Sequence, residues 1–169
     1  IIVDSVGNPN EAALLLKSSL DYITAENHEI IDTLSEIERR IILTINKIPK
    51  DIEKQITASN SKDAFYISIK EDVILLAAQN VLALRYAVST LLEDYFGVMY
   101  LNVGEISYPH ILNWPKIKIH KLYTPAFPFR FPHFRGRYDK EFTQWHKNST
   151  FDNWGMFVHT FNKLVPPEV

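Results

Sequence analysis

Apolar and polar positions alternate along this chain in two rhythms, one of about two residues and one of about 3.6, and the switches between them mark out the elements. Ile1–Asp4 is a short apolar run that reads as a strand. Ala13, Leu16, Leu20 and Ile23 then fall at helical spacing and predict a helix ending near Glu26. Its start is signalled by Asn8 as cap, Pro9 at the first helical position and Glu11 reaching back as in a capping box. His28–Leu34 and Arg39–Asn46 are rich in β-branched residues and read as strands. In the second, Ile41, Leu43 and Ile45 alternate with Arg40, Ile42 and Thr44. Residues 47–63 are polar and contain a proline, so a loop with a short helical turn is expected there.

Ala64–Lys70 and Val73–Ala78 predict a hairpin, with Phe65, Ile67 and Ile69 on one face and Glu71-Asp72 as a turn that lacks the usual glycine. A second helix is predicted over Asn80–Phe96, where Leu84, Val88, Leu91 and Tyr95 form a stripe and Gly97 stands at the C-terminal cap. The predicted order is β-α-β-β-β-β-α. That order describes an α+β fold, a mainly antiparallel sheet with two helices on one face, which gathers every apolar stripe into one core.

Charge separates this region from the remainder of the chain. Residues 1–105 carry 9 Lys/Arg and 16 Asp/Glu, whereas residues 106–169 carry 9 and 4. Such a split suggests two regions with different roles. Neither a GxGxxG nor a GxxxxGK[ST] run occurs, which excludes nucleotide binding by those loops. Without cysteine the chain has no disulfide or thiolate chemistry, and no apolar run approaches the length of a membrane span. No cofactor is expected.

The basic half contains Ala126-Phe127-Pro128-Phe129-Arg130-Phe131-Pro132-His133-Phe134-Arg135-Gly136-Arg137-Tyr138. Its prolines, with Pro125 just before, forbid a helix interior or a central strand. One reading is a ligand surface, since aromatic faces stack on sugars or bases and arginine binds anions. The other is an extended linker whose aromatics pack on a neighbouring domain while its arginines stay wet. Closely spaced aromatics belong more often to a core than to a site, which favours the linker.

Residues 141–150 read as a short helix or turn, and Phe151–Phe161 as a buried strand. His133, His146 and His159 recur at intervals of 13, but metal-binding histidines come in closer pairs. Hydrogen-bonded roles at a loop or strand end are expected for His146 and His159. Asp139, Glu141 and Asp152 are the carboxylates nearest the basic stretch, and nothing in the sequence holds two of them across a sugar ring.

Two groups of residues carry a family resemblance. One is Ala83-Leu84-Arg85-Tyr86-Ala87-Val88-Ser89-Thr90-Leu91-Leu92-Glu93-Asp94-Tyr95-Phe96-Gly97-Val98 followed by Phe127-Pro128-Phe129-Arg130. The other is Trp145-His146-Lys147-Asn148, Trp154-Gly155-Met156-Phe157-Val158-His159-Thr160-Phe161 and Leu164-Val165-Pro166-Pro167-Glu168. Together they resemble exported bacterial proteins related to α-glucuronidases and β-hexosaminidases, in particular a large group from polysaccharide-degrading gut bacteria. In these a small α+β domain, β-hexosaminidase domain 2-like, precedes a (β/α)8 barrel. The chain departs from the pattern at Gln79-Asn80-Val81-Leu82, where relatives usually carry a glycine.

The resemblance implies an accessory domain over residues 1–122, with residues 123–169 forming a linker and the first strand of a truncated barrel. A barrel needs about 250 residues, so this chain is expected to be inactive alone and the full-length protein to be a glycosidase. Localisation would be periplasmic or secreted. Substrate-binding residues implied for the full-length protein are His159 and Thr160, then Arg137, Trp145, Asn148 and Trp154. The partners would be a carbohydrate, acidic or amino in character, and the missing barrel. Neither nucleic acid nor membrane is expected. From residue 123 the chain is expected to be poorly anchored, or to self-associate through its C-terminal strand. The competing function is a stand-alone module that grips single-stranded nucleic acid, or another anionic polymer, with the basic-aromatic segment.

Overall fold

Helices with apolar stripes and strands with apolar faces must cover one another, and here they do so in layers. The structure is a computed structural model and describes residues 11–31, 39–45, 47–131 and 135–148. Helix α1 spans Glu11–Thr24, and Ala13, Leu16, Leu20 and Ile23 are buried as their spacing predicts. The cap at Asn8, the strand at Ile1–Asp4 and the strand at Phe151–Phe161 lie outside the described residues, as do the last three residues of His28–Leu34; its first four, 28–31, form no strand. Strand β1 is Arg40–Thr44, helix α2 is Lys50–Ala58, and the expected hairpin is β2 (Phe65–Lys70) with β3 (Val73–Ala78). Helix α3 (Val81–Thr90) runs on into a wider turn over Leu91–Tyr95. Two short strands, β4 (Met99–Asn102) and β5 (Glu105–Ser107), make a separate hairpin. Strand β6 (Ile119–Tyr123), a 3-10 turn at Arg135–Tyr138 and helix α4 (Lys140–Trp145) complete the described order.

The fold is α+β, built on a mixed four-stranded sheet in the order β1-β3-β2-β6. β2 pairs antiparallel with β3 and β6, and β1 lies parallel to β3 with Ile41 beside Ile74 and Leu43 beside Leu76. One sheet face, carrying Ile41, Leu43, Phe65, Ile67, Ile69, Ile74 and Leu76, packs with α1 and α3 into the main core. The other face carries Tyr66 and Ala77 and is covered at one end by Ile52 and Ile56 of α2. Coverage on both faces is why Phe65, Tyr66 and Ile67 are buried in succession rather than alternately.

The structure corrects the sequence reading at three elements. The polar stretch 47–63 contains a nine-residue helix, because Ile52 and Ile56 fall one turn apart and Asp51 and Glu53 favour its N-terminal dipole. Residues 99–107 form the β4–β5 hairpin, and Ile119–Tyr123 is an edge strand in which Ile119 packs inward. The third lies beyond β6: against the expectation that the chain from residue 123 is poorly anchored or self-associates, its described residues include α4, which packs on α3, and Trp145, which is buried in the main core edge-on to Tyr100.

α3 is buried all the way round, from Ala83 to Thr90, and not along a single stripe. The sheet lies on one side of it, and α1 and α4 pack against it as well. At its end Phe96 N–H reaches back five residues to Leu91 O and Val98 N–H six residues to Leu92 O. This widened turn lets Leu91, Leu92 and Phe96 all reach the core. Gly97, at φ +75°, takes the left-handed conformation that stops the helix.

The helix begins at Asn80, whose Oδ1 accepts from Ala83 N–H at 2.9 Å while its Nδ2 donates to Lys62 O at 2.6 Å. The Asn80 side chain therefore caps α3 and ties it to the α2–β2 loop. Asn80→Ala should lower stability by about 1–2 kcal/mol, measured by chemical denaturation, with Asn80→Asp keeping most of the cap.

Candidate functional site

A guanidinium half-removed from water must place its protons on oxygen, and Arg130 does so three times. Its Nη2 donates to Asp63 Oδ2 at 2.6 Å, its Nε to Lys147 O at 2.7 Å and its Nη1 to Phe127 O at 2.6 Å. One side chain thus joins the basic-aromatic segment, the residue after α4 and the loop before β2. Nearby, burial and the Asp63 carboxylate push the Tyr86 phenol up to about 12, against the opposing effect of Arg130. Arg130 is not the wet arginine of the linker reading, nor a cation held ready for a ligand. The aromatics beside it face outward: Phe127 is 69% exposed and Phe129 41%, and Phe129 stacks on Phe131 at 6.2 Å.

The residues named from sequence do not form one cluster. Arg137 sits in the 3-10 turn, with its guanidinium over the Tyr138 ring and Nη2 donating to Tyr138 Oη at 2.7 Å. Trp145 is in the core, 1% exposed. Asn148 ends α4 by donating its N–H to Thr143 O at 2.8 Å, while Lys147, at φ +58°, donates to Gln144 O at 3.1 Å. This is a left-handed helix stop made without glycine. Trp154, His159 and Thr160 lie outside the described residues. His146 hydrogen-bonds the Tyr100 carbonyl through Nε2 at 3.1 Å, so it has the structural role expected of it. No group of three His, Cys, Asp or Glu among the described residues could hold a metal ion, and no described helix is long and apolar enough to cross a membrane.

Two clefts do bring polar side chains together. A groove of about 570 Å³ between α1, α3 and α4 has Arg85 at its floor, 8% exposed, with Nη1 3.9 Å from Glu11 Oε2 and Nε without a partner among the described residues. On its wall, Asp21 bonds Lys17 Nζ, His28 N–H at 2.7 Å and the His28 ring at 2.9 Å. Burial pushes the Asp21 carboxyl up, but the bonds from Lys17 and His28 outweigh it and hold it down at about 2.

The second cleft, of about 500 Å³, lies by the β2–β3 turn. Trp114 forms part of it, with Nε1 donating to Glu71 O at 2.9 Å and Arg39 lying over its ring at 5.2 Å. Neither cleft was legible in the sequence. The available signal was the Lys-Ile-Lys-Ile-His alternation at 116–120, which leads into β6.

No family profile matches the sequence, and no curated protein matches it. Among solved structures the chain is similar to two glycoside hydrolases. One is CpGH84D, at 19% identity and a TM-score of 0.40, over 72% of this chain and 19% of that one. The other is BtGH115A, a family GH115 4-O-methyl-α-glucuronidase with specificity for decorated arabinogalactans, at 15% identity and a TM-score of 0.47, over 77% of this chain and 18% of that one. The chain thus spans about a fifth of either protein.

Arg130→Ala leaves Asp63 and two carbonyls without their donor and should cost about 3 kcal/mol. In limited proteolysis the first new cuts should fall between residues 124 and 148, and an unchanged cutting pattern would remove the clamp's assigned role. A depressed carboxylate contributes stability that is complete above its unfolded value, near 3.8, and is lost as pH falls toward 2. Asp21→Asn should therefore be less stable than the parent at pH 7, by at most about 1 kcal/mol given its partial exposure. The two should converge in thermal melts at pH 2.

Proposed function

We propose that this chain is a non-catalytic accessory domain of a larger, carbohydrate-acting glycoside hydrolase-like protein, and that the segment following β6 is its seat for the catalytic domain. The observation that carries this reading is the form of that segment. Arg130 pins it to the domain from within, while Phe127 and Phe129 are held outward on a proline-stiffened, extended backbone. A rigidly presented apolar strip is suited to burial against another surface. It is less suited to single-stranded nucleic acid, because Arg130, the cation among these aromatics, is occupied by protein oxygens.

Sequence resemblance supplies the class of the partner, a (β/α)8 barrel acting on an acidic or amino sugar. In this reading Trp145 and Asn148 serve by fixing the end of α4, and sugar contact in the full-length protein falls to Arg137, Trp154, His159 and Thr160.

Two measurements check the proposal. The 169-residue chain should show no turnover of aryl glycosides, including glucuronides and N-acetylhexosaminides. Turnover would give this chain a catalytic role of its own. Hydroxyl-radical footprinting should oxidise Phe127 and Phe129 readily here and several-fold more slowly in a longer protein that includes the downstream barrel. Equal rates in both would mean that the strip seats nothing.

A further inference from the structure

Strand β6 sits at the edge of the sheet, where its pairing with β2 ends at Ile69 beside Ile119. Lys70, the last residue of β2, and Lys116 and Lys118, which precede β6, line one cleft. Like charges gathered in one place repel one another. Ile119 turns to the core, while His120 bonds Ser68 Oγ across the strands at 2.9 Å.

Lys70, Lys116 and Lys118 make no ion pair among the described residues, and all three are exposed. The acids of the cleft are Glu71 and Asp72, and Asp72 is already engaged by Arg39 at 3.1 Å. Among the described residues the three lysines therefore face a single uncommitted carboxylate, that of Glu71, across a cleft of about 500 Å³.

We infer that this cleft, lined by Lys70, Lys116 and Lys118, binds a linear anionic polysaccharide, whose carboxylates or sulfates pair with these lysines. The arrangement favours a polysaccharide over single-stranded nucleic acid because base stacking needs a free aromatic face. The aromatic ring of the cleft, Trp114, is covered by Arg39 and packed beside Phe96 at 6.2 Å. What remains is ionic recognition by lysines acting as point charges. The choice of carbohydrate rests on the function proposed above.

The test is a titration of the chain with polygalacturonate (carboxylate), chondroitin sulfate (sulfate), neutral dextran and a poly-dT oligonucleotide, at low and at physiological salt. The site variant is Lys70→Gln/Lys116→Gln/Lys118→Gln. A variant of equal charge change elsewhere, Lys47→Gln/Lys62→Gln/Lys140→Gln, serves as control. Binding to one or both acidic polysaccharides, weakened at least tenfold in the site variant and less than threefold in the control, supports the site, and comparing the two polymers shows whether carboxylate or sulfate is preferred. Dextran should not bind.

Charge reversal gives a second readout: Lys118→Glu should abolish binding to both acidic polymers. No binding to either acidic polymer, or equal weakening in both triple variants, overturns this inference and leaves the accessory-domain reading standing. Lysine-dependent binding of the oligonucleotide in preference to both polysaccharides would overturn the two together.

Discussion

A helix with no side turned to water sets the terms for everything around it. From Ala83 to Thr90, α3 is buried on all sides, and a helix of that kind is stable only when each side has a cover. The sheet supplies one and α1 another. α4 supplies a further one, although it comes from beyond β6, in the basic half of the chain. The core and the described residues of the segment that leaves it therefore pack together, and the Arg130 clamp joins that segment to Asp63 and Lys147. The change of charge near residue 105 does not mark the end of the core.

The same constraint explains which parts of the fold were legible beforehand. The β2–β3 hairpin and α1 announce themselves because each has one buried face, so their periodicity is clean. The stripe read on α3 captured Leu84, Val88 and Leu91 but missed the burial of Arg85, Ser89 and Thr90, since cover by a distant element leaves no local pattern. α2 was hidden by its polarity, with only Ile52 and Ile56 to betray it. β6 was hidden because the stretch leading into it is rich in lysine, which is typical of an edge strand protected against further pairing.

The site was less legible than the fold, and for a physical reason. Arginines and aromatics in a row advertise chemistry, but whether an arginine is available depends on partners far away in sequence. Arg130 meets Asp63, 67 residues earlier, and no spacing rule connects them. Trp145 looked like a sugar platform and is a core residue against Tyr100. Conversely, the lysines around Trp114 drew no notice in the sequence, because only the folded chain brings Lys70 to the same cleft as Lys116 and Lys118.

The wide turn at Leu91–Tyr95 has a mechanical meaning as well. It accommodates one residue more than an α-helical turn, and one residue of α-helix corresponds to about 100° of rotation. A natural deletion there would rewind the turn and swing Gly97 and the β4–β5 hairpin around the helix axis, carrying Tyr100 away from Trp145. Length variation among descendants of this domain should thus be tolerated in the outer loops and resisted at this joint, where a single codon sets the direction in which the chain leaves its central helix.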